Sequence, residues 1–148
     1  GPNMMKSYLH DLLEDRSSLD EGWYDTGDIV SVDDAGFLVI KGRKKRFTKI
    51  AGEMISLGFI EDEISRLSPD HQHAAIAVES DEQSKTKICL YTNDPVLTLE
   101  CIRQFFNDAR IPNTYLPRAL VHMAELPVLR TGKVDYQTLQ QQIIARTD

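Results

Sequence analysis

Two cysteines in 148 residues, Cys89 and Cys101, are too few and too widely spaced for a disulfide framework. Set in apolar surroundings, they are expected to be reduced core residues of a cytoplasmic protein. Long apolar runs are missing too: none approaches the roughly 20 residues a membrane helix needs. The start, Gly1-Pro2-Asn3-Met4-Met5-Lys6, leads into polar, charged sequence and not into the apolar stretch of a signal peptide. Net positive charge is absent. The formal charge of -6 argues against general nucleic-acid binding, which relies on neutralising phosphates. His10, His71, His73 and His122 show no ligand spacing with cysteine or acidic residues, so no metal site is expected. What remains is ordinary globular composition, 41% hydrophobic and 27% charged, in a length that suits one compact domain or a small domain with an attached segment.

The charge is unevenly spread. Lys41, Arg43, Lys44, Lys45, Arg46 and Lys49 fall within nine positions that hold no acidic residue. Such a run on an acidic chain suits a specific anion, a nucleotide or an acidic partner. On charge alone the run better suits a hairpin edge kept soluble by lysines.

The pattern along the chain reads as α+β. Residues 1–20 are a charged helix or loop. Strands at Ile29–Val32 and Phe37–Lys41 flank the Asp33-Asp34-Ala35-Gly36 turn. A second hairpin, Arg46–Ile50 and Glu53–Ser56, turns at Ala51-Gly52. Leu57, Ile60, Ile64 and Leu67 recur at helical spacing and stop at Ser68-Pro69. Strands at His73–Glu79 and Lys87–Thr92 follow, then a helix capped by Thr98 and carrying Leu99, Ile102, Phe106 and Ala109. Ala119–Met123 is a short strand, and a last helix capped by Asp135 carries Tyr136, Leu139 and Ile143. The domain boundary is expected in the basic, extended connection from Arg43 to Arg46, dividing residues 1–43 from 44–148.

Three segments could carry chemistry. Asp28, after Tyr24-Asp25-Thr26-Gly27, opens a strand, where a carboxylate suits vicinal hydroxyls; a plain Gly-Asp turn anchored by Trp23 and Tyr24 fits the spacing as well. Arg43, after Gly42, has the fork geometry for ribose or phosphate oxygens, and Gly52 lets backbone approach a ligand closely. Lys133, after Thr131-Gly132, projects as a point charge suited to a phosphate or carboxylate, although no phosphate-loop pattern surrounds it.

In this order and spacing the segments resemble the adenylate-forming superfamily of acyl-CoA synthetases, luciferases and peptide-synthetase adenylation domains. Gly1 to Tyr8 is similar to the family's glycine-x-asparagine-x-methionine-x-x-tyrosine segment, and Tyr24-Asp25-Thr26-Gly27-Asp28 to its Tyr/Phe-x-Thr-Gly-Asp motif. Gly42-Arg43 through Gly52 is similar to the hinge motif, and Thr131-Gly132-Lys133 to the Ser/Thr-Gly-Lys motif. The wording Arg46 to Leu57 most nearly resembles the acyl-[acyl-carrier-protein] synthetase half of bifunctional 2-acylglycerophosphoethanolamine acyltransferases. Asp25, where many relatives carry arginine, and the departure from Ile-x-Pro-x-Glu-Ile-Glu after Gly52 favour that subfamily.

The resemblance implies that residues 1–43 end the large adenylating domain and residues 44–148 form the mobile C-terminal lid, a hairpin and small mixed sheet with three helices. It implies an ATP-dependent, AMP-forming ligase using Mg2+ that joins a fatty acid to the phosphopantetheine thiol of acyl carrier protein. Alternatives are a long-chain fatty acyl-CoA ligase with coenzyme A as the thiol, and a non-catalytic module that binds a carrier protein. Asp28, Arg43 and Tyr24 would bind the nucleotide, and Lys45 would be the hinge. Lys133, Lys49 and Gly52 would be catalytic, Lys133 for adenylation and the Lys49 to Gly52 turn for the thiol step. No nucleic acid is expected as a partner. The whole enzyme would be cytoplasmic, or held at the inner membrane by domains outside this chain. The family's phosphate loop and acyl pocket lie upstream of Gly1, so this chain alone is expected to be inactive.

Overall fold

The computed structural model describes residues 19–20, 23–80 and 85–147. The chain divides into two compact units, the first ending at Lys45 and the second running Arg46–Asp148. That is two residues later than the expected boundary, because Lys44 N–H is bonded at 2.7 Å to the Gly27 carbonyl and so belongs with the first unit. The motif from Gly1 to Tyr8 lies outside the described residues.

In the first unit, β1 (Leu19–Asp20) pairs antiparallel with β2 (Trp23–Tyr24). The hairpin β3 (Asp28–Val32) and β4 (Leu38–Arg43) turns through Asp33–Gly36. There the Asp33 carboxylate accepts the Ala35 and Phe37 N–H groups, and Gly36 takes a φ of 86°. Val32, Phe37, Leu38 and Ile40 remain largely exposed, since a two-stranded ribbon offers no second layer to bury them.

The connection between the units, expected to be extended, is a 3-10 turn at Lys44–Arg46. It leads into β5 (Phe47–Ile50) and β6 (Glu53–Ser56), joined by Ala51 and Gly52 with φ of 51° and 89°. Two successive positive φ values match the twist of a tight hairpin, and glycine accommodates the second without strain.

The remainder of the second unit is a three-stranded mixed sheet with helices on both faces. β7 (His73–Ser80) runs antiparallel to β8 (Lys85–Thr92), which lies parallel to β9 (Ala119–His122). The parallel pair needs a crossover, and α2 (Leu99–Asp108) supplies it. Alternation along the strands sorts the core. Ala75, Ile88 and Leu90 face α1 (Leu57–Leu67) and α2 through Leu57, Ile60, Ile64, Ile102 and Phe106. Ala74, Ile76, Cys89 and Tyr91 face Leu126 and Leu139, the latter on α3 (Tyr136–Thr147). Each of these three helices starts on a side-chain cap. Ser56 Oγ accepts Phe59 N–H, Thr98 Oγ1 accepts Cys101 N–H, and Asp135 Oδ1 accepts the Gln137 and Thr138 N–H groups.

Among the described residues the architecture is therefore the expected α+β arrangement of antiparallel hairpins, a small mixed sheet and three helices. One cysteine departs from expectation. Cys89 is buried, but Cys101 is exposed, because α2 turns the adjacent Ile102 inward and places its neighbour about 100° round the helix. Among the described residues no helix is long and apolar enough to cross a membrane.

Candidate functional site

Asp28 and Arg43, fifteen positions apart in sequence, meet as cross-strand partners. A one-residue slip would have put Asp28 opposite Gly42. The register shifts between Ile29 and Val30, so that Lys41 is bulged out and Arg43 falls directly opposite Asp28. Gly42 takes a φ of 145° at that irregularity. Arg43 Nε then stands 2.9 Å from Asp28 Oδ1, and its Nη1 donates to the Thr26 carbonyl at 2.8 Å. The preceding loop is tied to itself. Asp25 Oδ1 accepts Gly27 N–H at 2.8 Å, and Thr26 Oγ1 accepts Asp28 N–H at 3.2 Å. A shallow cleft of about 480 Å³ is lined by Asp25, Thr26, Gly27, Lys44 and Lys45. Exposed lysine ammonium groups beside a carboxylate paired to arginine form a polar surface suited to hydroxyls and phosphate oxygens. For Tyr24 the structure describes only the backbone, paired in β2.

The other expected residues lie in the second unit. Lys49 and Gly52 belong to the β5–β6 hairpin, and Lys49, Ile50 and Ala51 line a cleft of about 770 Å³. Lys87 and Arg118 add charge to it, and Asn113 and Thr114 add hydrogen-bonding groups. All the charged residues lining it are basic, which no spacing along the chain announces, because three separate segments contribute.

Lys133 does not line that cleft. It sits exposed at the tip of a small hairpin. Leu129 N–H donates to the Lys133 carbonyl at 2.7 Å and Gly132 N–H to the Leu129 carbonyl at 2.8 Å. Val128 and Val134 pair as an antiparallel bridge below the tip, and Asp135 N–H reaches the Pro127 carbonyl at 2.8 Å. Gly132 holds a φ of 79°, so a side chain there would be strained although the space is open. A backbone so tied presents the ammonium group on a fixed base, while the flexible stem leaves it reach.

Members of the basic run have separate partners. Arg43 is paired to Asp28, Lys44 lies 3.8 Å from Asp25, and Arg46 turns into the second unit against Glu61. This last contact was not foreseen from the sequence. A signal existed: Glu61 shares the apolar face of α1 with Leu57, Ile60 and Ile64, where a carboxylate needs a partner. Among the described residues no group of three His, Cys, Asp or Glu side chains is placed to hold a metal ion. His73 is buried and hydrogen-bonded, with Nε2 donating to the Ser68 carbonyl and Nδ1 facing the Thr92 hydroxyl, each at 2.9 Å.

No family profile matches the chain. It is 32% identical over 151 residues to the medium-chain fatty-acid–CoA ligase of Escherichia coli, covering 99% of this chain and 26% of that protein. It is 31% identical to the indoleacetate–CoA ligase of Aromatoleum aromaticum, covering 99% and 29%. Among solved structures, the amide bond synthetase McbA from Marinactinospora thermotolerans superposes with a TM-score of 0.73 at 21% identity, covering 96% of this chain and 29% of that one. The chain therefore spans about a quarter of the length of the curated relatives it matches.

Proposed function

From the premise that this chain belongs to the adenylate-forming acyl-CoA ligases and synthetases, whose C-terminal part it matches, we propose that the protein carrying it activates a carboxylate with ATP and passes the acyl group to a thiol. In the first half-reaction a carboxylate oxygen bonds to the α-phosphorus of ATP and pyrophosphate leaves. In the second, a thiol sulfur bonds to the acyl carbon, AMP leaves, and the thiol proton goes to solvent or a base.

The observation that carries this reading is the Thr131-Gly132-Lys133 tip. Negative charge grows on the oxygens around the α-phosphorus during adenylation, and a preplaced ammonium group stabilises it at little reorganisation cost. Asp28, with one oxygen held by Arg43, keeps acceptor capacity for ribose hydroxyls. Lys45 would be the pivot, a reading supported by its place as the last residue of the first unit. Rotation there would withdraw Lys133 and bring the Lys49 to Gly52 turn into use, a domain closure that completes the site for one step at a time. Mg2+ would arrive with ATP and offset phosphate charge, and no described residue of this chain is assigned to hold it.

The acyl group is proposed to be a fatty acid. For the thiol, the wording of residues 46–57 supports the phosphopantetheine of acyl carrier protein. Coenzyme A is a second reading, favoured by matched relatives that include fatty-acid–CoA ligases. The full-length protein supplied with either thiol decides between them. Membrane association of the whole protein remains part of the carrier-protein reading alone.

In the full-length protein, Lys133→Ala should lower carboxylate-dependent pyrophosphate exchange by at least about a hundredfold. It should leave thioester formation from preformed acyl-adenylate within a few-fold of normal. An unaffected first step would remove Lys133 from the mechanism. The 148-residue chain alone should release no pyrophosphate.

A further inference from the structure

Arg46 is the first residue of the second unit, and its guanidinium is turned inward. Its Nη1 donates to the Ala75 carbonyl on β7 at 3.1 Å, and its Nη2 stands 2.6 Å from Glu61 Oε1 on α1. Nη2 is buried and makes no aligned hydrogen bond, so its tie to Glu61 is one of charge. The guanidinium carbon lies 3.9 Å above the centre of the Tyr136 ring at the start of α3. The Tyr136 hydroxyl donates to Glu61 Oε2 at 3.1 Å, and Glu61 Oε1 accepts the Ala75 N–H at 2.7 Å. Four elements thus meet on one guanidinium.

Aliphatic packing would hold these elements together without desolvating two charges, since a buried ion pair contributes little net stability. What the pair supplies is direction. The Nη1 bond to the Ala75 carbonyl and the stacked ring fix orientation as well as contact. Burial pushes the Glu61 carboxyl up, against the pull of Arg46. The Tyr136 hydroxyl, pushed up to about 12 mainly by its own burial, stays a donor. Tyr136 is also three residues from Lys133, and the intervening backbone is tied at the Val128–Val134 bridge and the Asp135–Pro127 bond.

We propose that Arg46, Glu61 and Tyr136 form a clamp that fixes the base of the Lys133 tip to the backbone immediately after the pivot, so that rotation at Lys45 carries Lys133 with it. These are positioning residues, acting on Lys133 through the start of α3. The inference rests on Lys45 as pivot and Lys133 as the adenylation lysine.

The test uses Arg46→Lys, which keeps charge but loses the fork, and Tyr136→Phe, which removes one hydroxyl. Both are made in the full-length protein. Amide hydrogen exchange at Leu129, Gly132 and Asp135 should rise about tenfold in Arg46→Lys and less in Tyr136→Phe, with β8 amides unchanged. Pyrophosphate exchange should slow roughly tenfold in kcat, as misplacement of a positioned group does, with the KM for ATP and for the acid within twofold. If Arg46→Lys does not fold, Tyr136→Phe carries the test, with smaller shifts in the same sense. Unchanged exchange at the tip overturns the clamp. So does exchange that rises equally across β8, or a looser tip with a normal first half-reaction. Lys133→Ala measured alongside separates the two ideas. If it spares the first half-reaction, the catalytic reading falls and the exchange data alone decide the clamp. If it abolishes that step while the clamp variants leave it intact, the clamp falls.

Discussion

Leu139→Ala tests whether α3 is docked by packing or merely follows the Lys133 tip. Leu139 is 0% exposed and lies among Ala74, Ile76, Cys89, Tyr91 and Leu126 on the sheet face opposite α1 and α2. The substitution removes three carbons. At about 0.8 kcal/mol per buried methylene the transfer loss is about 2.4 kcal/mol. The neighbours sit on a hydrogen-bonded sheet and relax little, so a cavity contribution brings the total to about 3 kcal/mol, within the range for buried leucines. Leu129→Ala makes the same chemical change where the side chain is 48% exposed, and should cost no more than about 0.5 kcal/mol. Urea unfolding of the 148-residue chain, followed by the loss of helical circular dichroism, would give both values, provided the slope against denaturant is unchanged. A cost below about 1 kcal/mol for Leu139→Ala, or equal costs at the two sites, would refute the packing argument.

Arg110 ends α2 with a φ of 57°, while the Ile111 N–H reaches the Phe106 carbonyl at 2.8 Å. Arg110→Gly should therefore stabilise the chain by roughly 0.5–1 kcal/mol, read from the same urea curves; a destabilised variant would contradict the strain. Burial lowers the pKa of the His73 imidazole from its ordinary 6.5. A group whose folded pKa is depressed contributes stability above its unfolded value and loses it as pH falls. The melting temperature should thus hold from pH 8 to 7 and decline below about pH 6.5, and His73→Gln should flatten the first part of that decline. Asp94, held low chiefly by the Ser68 hydroxyl at 2.7 Å, adds a separate loss below 3.8. Identical profiles for the two proteins between pH 6.5 and 5 would exclude His73 as the cause.

Much of the local structure was legible because its causes are local. Helical spacing at Leu57, Ile60 and Ile64 marked α1, and Thr98 and Asp135 announced the caps of α2 and α3. Gly36 and Gly52 marked turns whose positive φ only a residue without Cβ adopts freely. Motif order pointed to the family for the same reason: each motif is a short run of neighbours. Cys101 was misplaced because a one-residue step round a helix changes the face, and composition does not see faces.

What only the tertiary structure decided is who meets whom across the chain. A bulge at Lys41 puts Arg43 opposite Asp28, and hairpin spacing alone would have paired Asp28 with Gly42. The basic run looked uniform along the sequence, yet the fold gives its members different partners, Asp28 for Arg43 and Glu61 for Arg46. Lys87 and Arg118 join Lys49 around a cleft through sheet pairing between β8 and β9, a long-range register. Sequence by itself determined the hairpins, helices and sheet strands from Ile29 onward and the identity of Lys133 as a residue to weigh, but neither the pairing at Leu19–Asp20 and Trp23–Tyr24 nor the 3-10 turn at Lys44–Arg46. The fold determined that Lys133 stands on a tip whose base, at Tyr136, lies under Arg46, because only packing brings position 46 beside position 136.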